Sequence, residues 1–384
     1  MKKPLLIVVI ILAVILILPV INTLRWTFQT KKPIGIIIVD KTVPTLEREK
    51  HKSLNWVLTN DRVVKKEKGT AYSYRKDYYG FMPTRPLRNH LWDRNEYHLA
   101  NLPDLWEKSD AVYFADTYGV FFNDWYQGLN VSRKSRKLFG ALNNNDNLLI
   151  KEMKDRNKLV ICEYNCFDYP TADYESYRIQ DRLGIKWSGW TGKYYSSLDT
   201  TGKDFPIWMT AMYRRQFKKP WTFTKEGIIL LKDKAIIVLE EGTLLKSSLP
   251  HIITDSANCT KYKVPSSVAF DHWFDIIDPL ENNVISKFKI ETTALGDSLL
   301  ADYGLTNLFP AAVQEPKQMR TYYFSGDFTD TSIPLWTSRF VGVEKLKFIL
   351  YSSKPDDTRR FFWLYYKPLI SEIFNDYYSS MAKK

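Results

Sequence analysis

The chain has 384 residues, of which 45% are hydrophobic and 15% aromatic, so it can bury a substantial core and is not an intrinsically disordered protein. Its 55 basic and 43 acidic residues give a formal net charge of +12, which suits nucleic acid, anionic lipid or an acidic glycan as a partner. Nucleic acid is disfavoured, because no RNP-like motif, zinc-finger spacing or long basic run accompanies the charge.

The N-terminal segment predicts a membrane anchor. Residues 4–22 contain no charged side chain and are almost wholly apolar, which is enough helix to cross a bilayer core of roughly 30 Å. The run is longer than the core of a cleavable signal and no A-x-A-like site follows it, so an uncleaved anchor is favoured over a removed signal peptide. We expect a single-pass anchor (residues 1–24) in the bacterial cytoplasmic membrane and an extracytoplasmic body. Basic residues on the far flank, including Arg25 and Lys32, leave the opposite orientation open.

After a linker (residues 25–33), apolar runs alternate with helical patterns. Residues 34–40 and 110–121 predict strands that end at or contain Asp40 and Asp116, and residues 159–164 predict a third buried strand. Asn143 to Asp146 supply N-cap chemistry for the helix before that third strand, and the helix after it stops at Gly184. This alternation predicts an α/β fold with a doubly wound, mostly parallel sheet.

Two stretches have no clear period. Residues 65–108 are rich in Tyr, Arg, Trp and Pro and predict an ordered excursion that lies against the domain and could wall a cleft. Residues 186–199 are aromatic and punctuated by glycine, which predicts a loop.

The second half predicts a β-rich extension. Its predicted elements are a short helix at 205–215, a hairpin at 227–241 turning at 232–234, strands within 284–296 and 319–330, and a terminal amphipathic helix at 361–381 that starts around Pro368. We therefore divide the body into a core, residues 34–215, and an extension with a C-terminal helix, residues 216–384.

The pieces ADTYG (115–119), CEYN with its Pro-Thr (162–171) and GWTGKYY (189–195) resemble the class I glutamine amidotransferase-like group, which has a flavodoxin-like fold. The resemblance covers roughly residues 34–200, and is greater to uncharacterised membrane-anchored bacterial members. Those enzymes carry a nucleophilic cysteine on a Gly-x-Cys-x-Gly elbow and a His-x-Glu dyad near the C-terminus. Here Cys162 and Cys166 have no flanking glycines and no such dyad exists, so the resemblance implies a member without amidotransferase activity.

The three cysteines, Cys162, Cys166 and Cys259, form neither a disulfide scaffold nor a zinc site. Cys162 and Cys166 lie four residues apart across a strand and its exit, too far to bridge if the segment is extended. We interpret them as small apolar residues, and Cys166 alone has a chemical alternative as a nucleophile.

Strand-end carboxylates define the candidate catalytic site. Asp40, Asp116 and Glu163 end or nearly end predicted parallel strands, so the fold would gather them on one rim of the sheet, where α/β proteins bind ligands. Such carboxylates can serve as general acid and base in glycoside chemistry or hold a metal ion. The alternative is that they accept hydrogen bonds from loop N–H groups or pair with Arg178 or Arg182.

Candidate ligand-binding residues surround this rim. They are Asn165, Tyr118, Trp187, Trp190, Tyr194 and Asp327. Flat aromatic side chains beside carboxylates suit sugar rings, although core packing is the favoured explanation of aromatic clusters in a chain with 12 tryptophans and 24 tyrosines. We interpret His272 and Trp273 as core residues, and no spacing of metal ligands or cofactor motif is recognisable.

Three functions remain open from sequence. The first is a binding or accessory module for cell-envelope carbohydrate, contacting ligand through the carboxylates and the Trp/Tyr loop. The second is a hydrolase that uses Glu163 with Asp116 or Asp40, or Cys166 as nucleophile. The third is a scaffold for envelope protein partners in a polymer-export complex.

Overall fold

The computed structural model describes residue 17 and residues 19–85, 91–126, 135–201, 205–317 and 319–382. The predicted membrane segment, residues 4–22, lies mostly outside these ranges. Residues 19–28 are helical, and no helix within the described ranges is both long and apolar enough to cross a membrane. The predicted linker is ordered where it is described: the Trp26 indole N–H donates to Thr59 O at 2.9 Å, and Arg62 lies 4.2 Å above the Trp26 ring.

Strands and helices alternate in the first half, and strands dominate the second. The strands are β1 (Lys32–Pro33), β2 (Ile36–Asp40), β3 (Val63–Val64), β4 (Tyr79–Arg85), β5 (Leu91–Asn95), β6 (Ala111–Asp116), β7 (Val120–Phe121), β8 (Lys137–Phe139), β9 (Leu159–Cys162), β10 (Lys186–Tyr195), β11 (Gly227–Lys232), β12 (Ala235–Glu240), β13 (His251–Thr254), β14 (Ser267–Ala269), β15 (Phe274–Asp278), β16 (Asn283–Lys289), β17 (Leu308–Gln314) and β18 (Thr321–Phe324). The helices are α1 (residues 19–28), α2 (Glu49–Asn60), α3 (Leu102–Lys108), α4 (Phe122–Tyr126), α5 (Asn144–Asp155), α6 (Asp173–Leu183), α7 (Trp208–Phe217), α8 (Ser256–Tyr262), α9 (Ala294–Asp302), α10 (Lys347–Leu350) and α11 (Lys367–Ala382). A π-helical turn, Phe362–Tyr366, leads into α11.

The described strands form one large mixed sheet and a smaller antiparallel one. The large sheet has the order β14-β13-β16-β17-β18-β9-β6-β2-β4-β5, and the smaller has the order β12-β11-β10-β15. Within the large sheet, β18, β9, β6, β2 and β4 run parallel, and antiparallel strands extend it at both ends. The predicted α/β class is confirmed at this level, as a mixed α/β protein with a large, partly parallel sheet.

Helices cover both faces of the parallel strands. Alternate residues of each strand point to opposite faces of the sheet, so each strand packs against both helix layers. Ile36 and Ile38 pack in one cluster with side chains of α2 and α11. Ile37 and Val39 pack in another with side chains of α3, α5 and α6. With both faces buried, the strands need to be continuously apolar, which is why residues 36–39 read Ile-Ile-Ile-Val.

Two helix boundaries follow the predicted local chemistry. Helix α5 begins with a capping box, in which Asn143 Oδ1 accepts from Asp146 N and Asp146 Oδ2 accepts from Asn143 N. Helix α6 ends at Gly184, whose φ of 63° is the left-handed conformation that glycine adopts without strain. The hairpin of β11 and β12 also turns at residues 232–234, as predicted.

The predicted loop at 186–199 is wrong, because residues 186–195 form β10, the longest described strand. Its glycines made it resemble a loop, but they serve the pairing instead. Gly189, with φ 84°, lies where the register with β15 shifts. A Cβ on Gly192 would lie 2.4 Å from Phe274 Cζ, so only glycine lets the two strands approach.

Other differences concern boundaries. The excursion at 65–108 contains β4, which adds to the parallel set beside β2, and β5, which forms the edge of the large sheet. The third predicted strand stops at Cys162, and the strand predicted within 284–296 stops at Lys289, since Thr293 caps α9. The large sheet also runs across the predicted core–extension boundary at 215, because β18 pairs with β9.

Candidate functional site

A cleft of about 400 Å³ lies at the carboxyl ends of the parallel strands. Its floor comes from the loops that follow β2, β6, β9 and β18, and its wall comes from β10, β11, α7 and the residues before β15. The lining side chains are Thr42, Lys50, Asp116, Tyr118, Tyr164, Asn165, Asp168, Tyr169, Thr191, Trp208, Met212, Leu231, Asp233, Trp273 and Asp327. Both the volume and the position are those of small-molecule sites in α/β proteins.

The floor and the wall are joined by main-chain hydrogen bonds. Asp327 N donates to Trp273 O at 2.9 Å, and Asp275 N donates to Ser325 O at 2.6 Å. The loop after β18 therefore carries Asp327 on the floor and holds Trp273 in the wall, so a strand-end acid and an aromatic ring are fixed relative to each other.

Lys50 is the centre of an ion cluster in the cleft. It lies in the first turn of α2, where its Nζ bonds to Asp327 Oδ2, lies 2.8 Å from Asp330 Oδ2 and lies 3.7 Å from Asp116 Oδ2. Burial by itself would lower the pKa of Lys50, but the charges of Asp327, Asp330 and Asp116 outweigh it and raise that pKa well above the usual value. Lys50 therefore stays protonated at any physiological pH.

The acids respond to the cluster in different ways. Burial raises the pKa of Asp116 to about 6 although Lys50 opposes the shift, and it raises the pKa of Asp327 to about 7 against the same opposition. Burial also acts on Asp330, yet the attraction of Lys50, together with that of His272, lowers its pKa to about 2. Two acids of the cluster thus titrate near neutral pH, which is the range a general acid or base requires.

Asp116 and Asp327 each keep one carboxylate oxygen without a hydrogen-bond donor. Thr42 Oγ1 and Tyr118 N donate to Asp116 Oδ1 at 2.7 and 2.8 Å, whereas Oδ2 has no hydrogen bond. In Asp327 it is Oδ1 that is buried and lacks a donor. Both side chains are only 1% exposed and both line the cleft, so these two oxygens are buried acceptors at its edge.

The other two predicted catalytic carboxylates are sealed away from the cleft. Asp40 is fully buried, with Oδ2 2.5 Å from His51 Nδ1 and Oδ1 accepting from Thr42 N at 3.0 Å. Glu163 is also fully buried; its Oε2 accepts from Thr329 N and Oγ1 at 3.0 and 2.9 Å. In addition, Tyr113 donates its hydroxyl to Oε1 of Glu163.

The expected common rim therefore exists, but its three acids do not share one open surface. Burial raises the pKa of Glu163 well above its usual range even though its donors oppose the shift. The alternative in which loop N–H groups hold the carboxylates is observed for all three, and Arg178 pairs with Glu175 of its own helix at 3.2 Å instead. Of the three, only Asp116 lines the cleft.

Only half of the six predicted ligand-binding residues line the cleft. Asn165, Tyr118 and Asp327 line the cleft. Trp190 is 3% exposed and packs edge-on against Tyr303 in the core. Trp187 packs beside Phe167, and Tyr194 donates to Glu226 Oε2 at 2.5 Å, so neither reaches the cleft.

The aromatic wall comes from residues that the sequence did not single out for binding. Trp273, interpreted from sequence as a core residue, lines the cleft and stacks on Tyr164 with an interplanar angle of 12°. Trp208 and Met212 reach the cleft from α7, and Tyr169 from the loop after β9. One signal for Trp273 was available: it stands between Asp271 and Asp275, an unusual setting for a core tryptophan.

Lys50 was also missed, although its position carried a signal. It falls in the first helical turn after the strand that ends at Asp40, and such a turn faces the strand ends. Its place in a run of alternating charges made it look like a solvated residue.

Cys166 is fully buried and donates its thiol to Glu163 O at 3.1 Å. A hydrogen bond with Cys162 and burial both raise the pKa of Cys166 well above the ordinary value. A nucleophilic thiol needs the opposite, a lowered pKa and access to substrate. Among the described residues, no group of three His, Cys, Asp or Glu side chains is arranged to hold a metal ion.

Comparison of the chain with protein-family models, with curated proteins and with solved structures gives no match, so the resemblance to the amidotransferase-like group stays a prediction from sequence.

Proposed function

We propose that this chain is an amidotransferase-like α/β module, anchored in the bacterial cytoplasmic membrane through residues 4–22, whose extracytoplasmic body binds cell-envelope carbohydrate without amidotransferase activity. The binding site is the cleft at the carboxyl ends of the parallel strands. Lys50 and Asp116 are its polar floor, and Trp208 and Trp273 are its aromatic wall.

The observation that carries this proposal is the pairing of aromatic rings with acids that have a free acceptor. Sugar rings present apolar C–H faces that stack on indole rings, and hydroxyl groups that donate to carboxylates. Trp273 and Asp327 offer both kinds of contact from segments tied together by one main-chain hydrogen bond of 2.9 Å. Accessory binding is favoured over thiol chemistry because Cys166 is sealed and its pKa is raised.

A binding screen with a matched pair of tryptophan variants tests the proposal. The detergent-solubilised full chain is titrated with peptidoglycan and exopolysaccharide fragments while its tryptophan fluorescence is followed. Trp273→Ala should weaken binding by about ten-fold, equivalent to about 1.4 kcal/mol. Trp336→Ala, at a ring that is 70% exposed and outside the cleft lining, should leave the affinity unchanged. If no fragment binds, or if both variants behave alike, the proposal fails.

A hydrolase is the second candidate, and a specific observation favours it. Asp116 and Asp327 both lie within 4 Å of the same Lys50 ammonium, and burial raises their pKa values to about 6 and about 7. Two neighbouring carboxyl groups of this kind can divide the roles of acid and base in glycoside hydrolysis. Release of new reducing ends from a bound fragment, lost in Asp327→Asn, would establish this activity; binding without cleavage would leave the accessory module.

A further inference from the structure

The cleft is acidic although the protein as a whole is basic. Among the residues that the structure describes, four carboxylates and one lysine line it, against a formal charge of +12 for the chain. The acids are Asp116, Asp168, Asp233 and Asp327. An acidic pocket in a basic protein repels anionic ligands at close range and attracts cationic ones.

Lys50 compensates only part of this charge. Its one ammonium group serves Asp116, Asp327 and Asp330 together. Lys193 lies over aromatic rings, with its Nζ 5.6 Å from the centroid of Trp273 and 5.5 Å from that of Tyr195. Negative charge therefore remains around Lys50 that a second cation would neutralise.

The unpartnered oxygens show where that cation would bind. Asp116 Oδ2 and Asp327 Oδ1 are both buried and accept no hydrogen bond. A buried acceptor without a donor is costly, and an ammonium group, with three N–H donors and a positive charge, satisfies such acceptors better than a neutral hydroxyl does. Both side chains line the cleft and approach the same Lys50 ammonium, so a donor group bound beside Lys50 would meet the two carboxylates together.

The aromatic wall suits the same group. A cation over the face of a tryptophan gains electrostatic attraction from the ring, and the Nζ of Lys193 lies within range of such a contact with Trp273. Trp208 and Tyr164 line the cleft beside the same acids. The acids and the rings therefore both favour a ligand that is positively charged.

We propose that the cleft selects an amine-bearing ligand, a sugar whose amino group is free and protonated, through Asp116 Oδ2 and Asp327 Oδ1. This selectivity rests on the proposed carbohydrate binding and makes it specific. Neutral acetylated amino sugars lack the charge, and uronic acids have the opposite one. The net positive charge of the chain consequently does not point to an acidic glycan in this cleft.

The test compares three oligosaccharides of equal length by calorimetric titration of the detergent-solubilised full chain: a glucosamine oligomer, its N-acetylated counterpart and a galacturonate oligomer. The glucosamine oligomer should bind roughly ten-fold more tightly than the acetylated one, the difference expected for one charge-assisted contact, and the galacturonate should not bind. Equal affinities for the first two, or preference for galacturonate, would overturn the amine selectivity while leaving carbohydrate binding intact. Failure of all three, and of envelope fragments, would instead remove the proposed function itself.

Variants then locate the amine. Asp116→Asn should weaken glucosamine binding by roughly ten-fold, since asparagine keeps the Oδ1 contacts with Thr42 and Tyr118 and replaces Oδ2, which accepts no hydrogen bond and lies 3.7 Å from Lys50 Nζ. Asp233→Asn, at an exposed turn residue on the rim, should weaken it less, and asparagine adopts the positive φ of this position readily. Asp104→Asn removes the same charge from a 79% exposed side chain on α3 and should have no effect. Equal affinities of the Asp116 and Asp104 variants would refute the assignment.

Discussion

Replacement of Lys50 by methionine tests the electrostatic account of the cleft most directly. In the native chain this ammonium serves Asp116, Asp327 and Asp330, and the first two are only 1% exposed. Methionine fills a similar volume without charge, so the three acids lose their counter-ion. Breaking a buried ion pair from one side typically costs about 3–5 kcal/mol. We expect Lys50→Met to reduce the free energy of unfolding by about that amount where all three acids are ionised.

The cost should depend on pH, and its sign is fixed. Without Lys50, the pKa values of Asp116 and Asp327 rise further above about 6 and about 7. From about pH 6 to mildly alkaline pH, the folded variant therefore binds more protons than the folded native protein. Stability falls with rising pH wherever the folded state holds the extra protons. The loss should therefore be about 3–5 kcal/mol near pH 8 and about 1 kcal/mol near pH 5, where both acids are largely protonated.

Urea unfolding of the native protein and the variant, followed by tryptophan fluorescence at the two pH values, measures the difference. Lys151→Met is the matched control, because Lys151 is 48% exposed and pairs with Asp155 on the surface of α5. It should change the unfolding midpoint little at either pH. A loss that is the same at both pH values would refute the reasoning, since the acids would then not be titrating against Lys50.

Three further predictions concern the floor, the sheet and the thiols. Burial raises the pKa of Asp327 from 3.8 to about 7, so between these pH values the folded state keeps a proton that the unfolded chain loses, and the free energy of unfolding falls as pH rises. Asp327→Asn should remove up to about 4 kcal/mol of this pH dependence, measured by urea unfolding at several pH values. The Gly80→Ala variant should have a much lower urea midpoint of unfolding than the Gly69→Ala variant. A Cβ on Gly80 would lie 1.7 Å from Asp40 O, whereas a Cβ on Gly69 would have no atom within 4 Å. Gly69→Ala should cost only about 1–2 kcal/mol, for its left-handed backbone, and similar midpoints would contradict the close approach of β4 to β2. A thiol reagent should modify Cys259, which is partly exposed, before Cys166, which becomes reactive only on unfolding; rapid labelling of native Cys166 would revive the nucleophile hypothesis.

Local chemistry accounts for what was predictable from sequence. Strands β2, β6 and β9 are continuous apolar runs, and the caps of α5 and α6 lie in adjacent residues, so each could be inferred from a short window. From those strands the position of the rim followed, and with it Asp116 as a member of the site. Asp327 was inferred separately, as a carboxylate in the strand predicted within 319–330.

The remainder depends on partners that are distant in sequence. Strand β10 looks like a loop until β11 and β15 pair with it, and Gly192 has a reason only once Phe274 is beside it. Glu163 and Asp40 looked like functional acids because the sequence does not show that their carboxylates form hydrogen bonds with Thr329 and His51, respectively. Lys50 could not be distinguished from its charged neighbours before the loop after β18 was known to approach α2.

The position of β18 has a consequence for how the protein folds during synthesis. This strand is made late, yet it lies between β9 and β17 in the middle of the large sheet. Until the ribosome has released it, β9 presents an unpaired edge that is prone to aggregate, and the acids delivered by the loop after it are missing. A nascent chain should therefore remain a client of holding chaperones until most of its length has emerged, and ligand should bind only after that point.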